Sequence, residues 1–506
     1  MQQWAVMLAC SANGVEHLLG EAALQRHGGR TALVCGAERV TYGALSERVQ
    51  RASAALNTLG VRPGERVLFL MRDTPEFAAA WLGAIRMGAV AVALNNKLSE
   101  ADYRHILDDS AARLVVVEDV FAQARADLTA ELLREGRIVI AGEGMQGAPA
   151  WRPLVENAGT ATAFAAQDET PAFHLYSSGT TGRPKGIVHA HRSFRAVGGA
   201  LRMLGLGEGA RIFATSKFFF AYGLEHGLLG PLALGATSIL CPDWPDAAAI
   251  LDIVGRERPD AVFSVPTLYR RLLAEPDGRP DALARVSHFV SAGERLSPAL
   301  VEQWRRAGGR ELLNLYGMSE TFCACLVTPP GTSDGRRTGR PLPGAEVRLE
   351  DGVLWIRHPS LAAGYANLPE RTEECFRDGW FCTHDLFAQE PDGSLVHLGR
   401  SDELLKIAGQ WVQPSEIEEA VGSLREVAEA VCVAAPDGDG LERLALFIVA
   451  NGDADAAARA ARLACEALAR HRRPKWIRVV SELPRTATGK VQRFRLRELL
   501  DGATAP

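Results

Sequence analysis

The stretch YSSGTTGRPKG, Tyr176 to Gly186, puts three glycines, four Ser/Thr hydroxyls and two cations into eleven residues. Glycine lets backbone approach a ligand with no Cβ in the way. Successive N–H groups of such a turn form a concave anion site. Ser177, Ser178, Gly179, Thr180, Thr181, Gly182 and Lys185 are therefore read as a phosphate cradle, with Arg183 as a second cation. It is not a P-loop, whose G-x-x-x-x-G-K-[ST] pattern ends in a magnesium-binding hydroxyl. Here Pro184 precedes Lys185 and Gly186 follows it. The preceding run PAFHLY reads as a strand. The loop thus leaves the end of a sheet, where α/β proteins bind ligands.

On the N-terminal side, RVLFLM, AVAVAL and RLVVVE read as strands. YGALSERVQRASAALNTLG and TPEFAAAWLGAIRMG read as amphipathic helices closed by glycine. This alternation predicts a mostly parallel sheet. It resumes after the loop, with ATSIL and AVFSV as strands and PTLYRRLLAE and PALVEQWRRAG as helices that start at proline. Near residue 337 short alternating strands and turn residues predict a small β-rich region. From about residue 400 a compact α+β unit is expected, preceded by the charged, turn-like GRSDE. The predicted fold class is α/β: a large N-terminal domain, 1–400, of layered α/β subdomains plus the β-rich region, and a small mobile C-terminal domain, 401–506.

The 506 residues carry 47% hydrophobic and 23% charged side chains, an ordinary globular composition. A net charge of -5 supplies no field drawing the chain to nucleic acid or an anionic membrane. No apolar run approaches a membrane span, and the N-terminal stretch lacks the pattern of a signal peptide. A cytoplasmic protein is expected, with no nucleic-acid or membrane partner; whether it is a monomer or a homodimer stays open. Nine scattered cysteines include Cys323 and Cys325 but no paired C-x-x-C units, which argues against structural zinc. His189 and His191 form H-x-H without a third ligand in view, so a structural role is expected.

Four further stretches carry chemistry. NLYGMSET places Asn314, Tyr316, Glu320 and Thr321 after a strand: the aromatic suits a purine, and the carboxylate suits Mg2+ beside phosphate. FCTHDL offers Asp385 to ribose hydroxyls. GRSDELLKIAGQ offers Arg400, Lys406 and Gly409. LPRTATGKVQRF presents Lys490 in a small-residue turn.

Together, in this order, these motifs resemble the adenylate-forming enzymes: acyl- and aryl-CoA synthetases, peptide-synthetase adenylation domains and beetle luciferases. The resemblance spans about residues 12–499. KFFFAYGL, SVPTLY, SAGERL, TGRPLPG and TATGKVQRFRLRE are most similar to benzoate-type aryl-CoA ligases. It implies ATP, Mg2+ and coenzyme A, a small-molecule carboxylic acid, and two half-reactions through an acyl-adenylate. On this resemblance Lys490 bridges the carboxylate and the α-phosphate, Glu320 holds Mg2+, and Lys406 serves the second half-reaction. Gly293, Glu294, Arg295, Asn314, Tyr316 and Thr321 surround adenine, while Asp385 and Arg400 hold the ribose. Ala221, Tyr222, Val265, Ala292 and Gly317 line the acid pocket, Gly409 borders the CoA channel, and Asp402 is the hinge.

Two departures stand out. His384 replaces the usual glycine before Asp385, and strain follows if that position needs positive φ. Glu225 and His226 stand where the benzoate-type pattern has Gly and Asn. They are expected to face solvent or pair with each other; the sharper alternative has one of them bonding a ring hydroxyl or amine. Transfer to a carrier-protein thiol remains an alternative, although no carrier motif follows residue 499. An inactive homologue is the other, and the presence of Lys490, Glu320 and Asp385 argues against it.

Overall fold

Strands buried on both faces need apolar side chains at every position, and their alternation then divides two cores. Arg66–Leu70, Val90–Ala93, Leu114–Glu118 and Ile138–Ala141 follow this rule at every position but the terminal Arg66 and Glu118, and pair in parallel. Val67 and Phe69 enter one core, while Leu68 and Leu70 enter another on the opposite face. The computed structural model describes residues 12–178, 183–275, 283–308, 310–407, 410–438, 440–485 and 491–501.

The helices Tyr42–Thr58 and Pro75–Arg86 cover the first of these faces, their N-termini capped by the hydroxyls of Thr41 and Thr74. The sheet has seven strands. Its order runs Gly364–Tyr365, Pro184–Ala190, Pro171–Ser178, Val90–Ala93, Arg66–Leu70, Leu114–Glu118, Ile138–Ala141. Tyr176–Ser178 and Pro184–Gly186 therefore lie in two paired antiparallel strands, Pro171–Ser178 and Pro184–Ala190.

A second, nine-stranded sheet has a parallel centre containing Thr31–Cys35, Thr237–Leu240, Arg211–Ala214, Ala261–Ser264, His288–Ser291 and Leu312–Tyr316. Phe213, Val262, Phe289 and Leu312 point to one core, and Ile212, Phe263, Val290 and Leu313 to the other. The helices Pro266–Ala274 and Pro298–Arg306 start at proline as expected.

Contacts divide the chain into two compact units. The larger holds Met1–Arg348, Trp355–Cys382 and Pro391–Leu395; the smaller holds Leu349–Leu354, Thr383–Glu390 and Val396–Pro506. The smaller unit thus claims strand segments that precede the expected boundary at 400/401, because packing rather than chain order assigns them. Within it, Val427–Pro436, Glu442–Ala450 and Trp476–Val480 form a three-stranded sheet. Cys432 and Ala434 face one core, with the helices Pro414–Gly422 and Ala454–Glu466; Val431 and Val433 face the other.

Candidate active site

The hairpin register sets Ser177 opposite Lys185 and Ser178 opposite Pro184. Gly179, Thr180, Thr181 and Gly182, at the tip, lie outside the described residues, as do Gly409 and Lys490. Lys185 Nζ donates to Glu320 Oε1 at 3.0 Å and lies 4.0 Å over the Tyr365 ring. The Tyr365 hydroxyl donates to the same oxygen at 2.9 Å. Burial would raise the Glu320 pKa, but the Lys185 charge and these two hydrogen bonds bring it below its ordinary value. A buried carboxylate thus stays anionic beside Lys185.

The turn that carries Glu320 is braced from below. His189 Nε2 donates to the Ser319 carbonyl at 2.9 Å, and its ring stacks on Phe173 at 4.9 Å. Burial lowers the His189 pKa to about 4, so the ring is neutral. His191 Nδ1 accepts the Gly14 N–H. Both histidines of the H-x-H pair are structural, and among the described residues no His/Cys/Asp/Glu group could hold a metal by itself. One anionic glutamate suits Mg2+, which takes one or two carboxylates and fills its sphere with phosphate oxygens and water.

The carboxyl ends of the second sheet gather the acid-pocket and adenine candidates. Ser264 pairs with Ser291, and Ser291 with Asn314, so Val265, Ala292 and Leu315 leave adjacent strands together. The Tyr222 hydroxyl shares its proton between the Ser264 and Val290 carbonyls, at 3.2 and 3.1 Å. Tyr222 therefore meets the strand ends that carry Val265 and Ala292, with buried Ala221 beside it. At Gly317 a Cβ would lie 3.1 Å from Ala324 Cα and 3.2 Å from the Cys323 carbonyl oxygen, so only glycine fits without a shift. Gly293, Glu294 and Arg295 are exposed, and Asn314 and Tyr316 half-buried. Thr321 departs from its expected role. It is fully buried, and its hydroxyl bonds Met318 and the Cys323 carbonyl inside the turn, which leaves it no part at adenine.

The expectation that Glu225 and His226 face solvent fails: they are 1% and 2% exposed. They pair with each other instead, His226 Nε2 lying 2.6 Å from Glu225 Oε2. The helix that carries them runs α over Ala221–Leu224, π over Glu225–Leu229 and α again over Gly230–Leu234.

In the smaller unit, Arg400 Nη1 donates to Asp385 Oδ1 at 3.2 Å, while its Nε and Nη2 grip the two Asp402 oxygens at 2.8 Å each. Burial works against the Arg400 charge, yet the two aspartates raise its pKa. His384 has φ of 59°, the left-handed conformation that the glycine of the family pattern would take without strain. Lys406 is exposed on the hairpin Leu405–Ile407/Gln410–Val412, directly across from Trp411 and 5.7 Å over its ring.

A family model described as AMP-binding enzyme matches residues 20–366, and one described as AMP-binding enzyme C-terminal domain matches residues 416–490. The chain belongs to the AMP-binding enzyme family. This AMP-binding enzyme is 42% identical to the 3-hydroxybenzoate–CoA ligase of Aromatoleum sp. (strain CIB), over 97% of its own chain and 98% of that relative. It is 36% identical to the benzoate–CoA ligase of Thauera aromatica, over 96% and 95% of the two chains. The crystal structure of the anthranilate CoA ligase AuaEII in complex with anthranoyl-AMP superposes with a TM-score of 0.88 at 32% identity, covering 99% and 100% of the chains. The fold is that of the adenylate-forming enzymes, mixed α/β with a large N-terminal and a small C-terminal domain.

Sequence reasoning missed three residues of the AMP-binding enzyme. Tyr365 completes the Lys185–Glu320 cluster, and no spacing or motif ties it to residue 320. Lys217, 2% exposed, donates to the carbonyls of Cys241 and Asp243 and lies 3.7 Å from Asp73. Burial pushes Asp73 up to about 7, against the pull of Lys217. Asp73 Oδ1 accepts the Phe218 N–H at 3.3 Å, so this buried pair seats the stretch leading into Tyr222. A lone lysine heading the apolar run FFFAYGL was the available signal.

Proposed function

We propose that this AMP-binding enzyme is an ATP-dependent aryl-CoA ligase. It activates an aromatic carboxylic acid, benzoate or a hydroxy- or amino-benzoate, to its CoA thioester with release of AMP and pyrophosphate. The observation that carries this reading is the likeness, across both domains, to hydroxybenzoate– and benzoate–CoA ligases. In the first half-reaction a carboxylate oxygen attacks the α-phosphorus, the bond to the bridging oxygen breaks, and pyrophosphate leaves. In the second, the CoA sulfur attacks the acyl carbon, the bond to the AMP oxygen breaks, and the thiol proton passes to solvent.

Such a displacement at phosphorus needs positioning and charge neutralisation more than covalent help. Ser177, Ser178 and the loop through Lys185 hold the β- and γ-phosphates in this reading. Mg2+ on Glu320 neutralises phosphate charge when bound. Lys490 sits where the negative charge of carboxylate and α-phosphate crowds. Gly293, Glu294, Arg295, Asn314 and Tyr316 surround adenine, and Asp385 with Arg400 holds the ribose. Ala221, Tyr222, Val265, Ala292 and Gly317 take the acid. Asp402 hinges a C-terminal domain beginning near residue 401, which brings Lys406 and Gly409 into use for the second half-reaction. Among the described residues no helix is long and apolar enough to cross a membrane, and eight cysteines are free thiols. In this reading the enzyme is cytoplasmic and works on small molecules, without nucleic-acid or membrane partners.

The test is a panel of aromatic and aliphatic acids, scored by pyrophosphate and AMP release with and without CoA. Benzoates should be preferred, and CoA should be needed for AMP release. Preference for aliphatic acids sinks the aryl reading, and AMP release only with a carrier protein sinks the CoA reading. Lys490→Ala should slow pyrophosphate release by ~10²–10³, yet still form thioester from preformed aroyl-adenylate. An equal loss in both half-reactions contradicts its assignment.

A further inference from the structure

A π turn inside a helix is uncommon, occurs mostly as a single-turn bulge, and is frequent at functional sites. Here it begins three residues after Tyr222, and Glu225 and His226 engage its surroundings. Glu225 Oε1 accepts the N–H of Gly198 at 2.9 Å. Its Oε2 lies 2.6 Å from His226 Nε2. His226 Nδ1 lies 3.1 Å from the Tyr222 carbonyl oxygen. A carbonyl only accepts, so Nδ1 carries a proton. Glu225 Oε1 and His226 Nδ1 are hydrogen-bonded within the protein, and the buried Oε2 and Nε2 face each other.

The pair also touches what surrounds the acid. The His226 ring stacks on Phe263 at 4.7 Å and lies 5.0 Å from the Tyr222 ring, which meets Phe263 edge-on at 6.3 Å. Tyr222 is tied at both ends, its carbonyl to His226 and its hydroxyl to the Ser264 and Val290 carbonyls. Tyr222, His358, Cys323 and Cys325 feel the Glu225 charge, so the carboxylate stands between the Tyr222 wall and the segment following Glu320.

We propose that the buried Glu225–His226 pair is a positioning element of the acid pocket: it holds Tyr222 against the strand ends and sets affinity for the aryl acid without touching it. This rests on the aryl-CoA ligase reading, with Tyr222 on the substrate ring. Direct recognition of a ring hydroxyl by the pair is disfavoured, since both side chains are buried and Glu225 Oε2 and His226 Nε2 face each other at 2.6 Å.

The test measures kcat and KM for benzoate, 3-hydroxybenzoate and ATP by pyrophosphate release. The proteins are wild type, Glu225→Gln, Tyr222→Leu and the double variant. Glutamine keeps the shape and an acceptor for Gly198, but removes the charge. Glu225→Gln should raise KM for both acids about tenfold, the size of coupling seen between contacting residues. KM for ATP should not change. In the Tyr222→Leu background the same change should add nothing, because the pair acts through Tyr222. A fall in kcat with unchanged acid KM would mean a merely structural pair and overturn the proposal. Additive effects in the double variant would overturn it too, as would a loss confined to 3-hydroxybenzoate, which would mean direct contact. Should Glu225→Gln not fold, His226→Gln, whose amide can still reach the Tyr222 carbonyl, is read the same way. If wild type activates no aromatic acid, the ligase reading itself falls, and that shows without any variant.

Discussion

Two buried glutamates, Glu320 and Glu225, look alike on paper and differ in what surrounds them. Both are buried, both face a basic side chain, and both are held below the ordinary carboxylate pKa despite burial. Glu320 is paired with Lys185, a long side chain at a strand end, and its side chain is 11% exposed. Glu225 is paired with an imidazole stacked into a core, and its side chain is 1% exposed. Lysine is a flexible point charge that can swing toward an incoming phosphate. A packed ring cannot. The difference separates a carboxylate paired with a flexible side chain from one paired with a packed ring.

The largest expected effect breaks the comparison at Glu320. Glu320→Gln keeps the shape and removes the charge, and should slow pyrophosphate release by ~10²–10³, the usual loss for one electrostatic contact in a transition state. Glu225→Gln should cost only about tenfold, in acid KM. Equal losses in the two variants would erase the distinction.

The histidines sharpen it next. His226 lies 2.6 Å from its glutamate, whereas burial holds His189, under the Glu320 turn, neutral with a pKa near 4. A histidine depressed from 6.5 contributes stability that is complete above pH 6.5 and is lost as pH falls toward 4, because the unfolded chain binds the proton first. At 1.36 kcal/mol per pKa unit this is about 3 kcal/mol. Urea unfolding between pH 7 and 4 should show a shallower acid loss for His189→Gln than for wild type. Parallel curves would mean that His189 is protonated in the folded protein.

The smallest effect concerns Tyr365. Tyr365→Phe deletes one hydrogen bond to a charged oxygen, typically ~1.5–3 kcal/mol, with Lys185 still in place to compensate. KM for MgATP should rise about tenfold or less, with kcat nearly unchanged. A loss as deep as that of Glu320→Gln would make Tyr365 part of the reacting centre.

Much of this was legible before any coordinates. Val67, Phe69, Leu68 and Leu70 alternate between two cores, and a continuous apolar run announces that arrangement. Thr74-Pro75 and Ser297-Pro298 begin helices as local capping chemistry requires. The hydroxyl- and glycine-rich hairpin and Glu320 carry their chemistry in residue type alone. Thr321 did not follow: its hydroxyl looks like a ligand in a motif, but turn geometry consumed it.

The sequence by itself determined the layered α/β class, the order of the motifs and the family, because these depend on periodicity, capping and side-chain chemistry within short windows. The tertiary structure alone decided that Tyr365 shares an oxygen of Glu320 with Lys185, and that Lys217 is buried against three backbone carbonyls and Asp73. It also decided that Glu225 and His226 turn inward at a π turn. Each of these pairs residues that are far apart in the chain, or reverses the solvent-facing default for charged side chains. Their placement follows from which strands lie side by side and how much water their packing excludes, quantities that no local window of sequence contains.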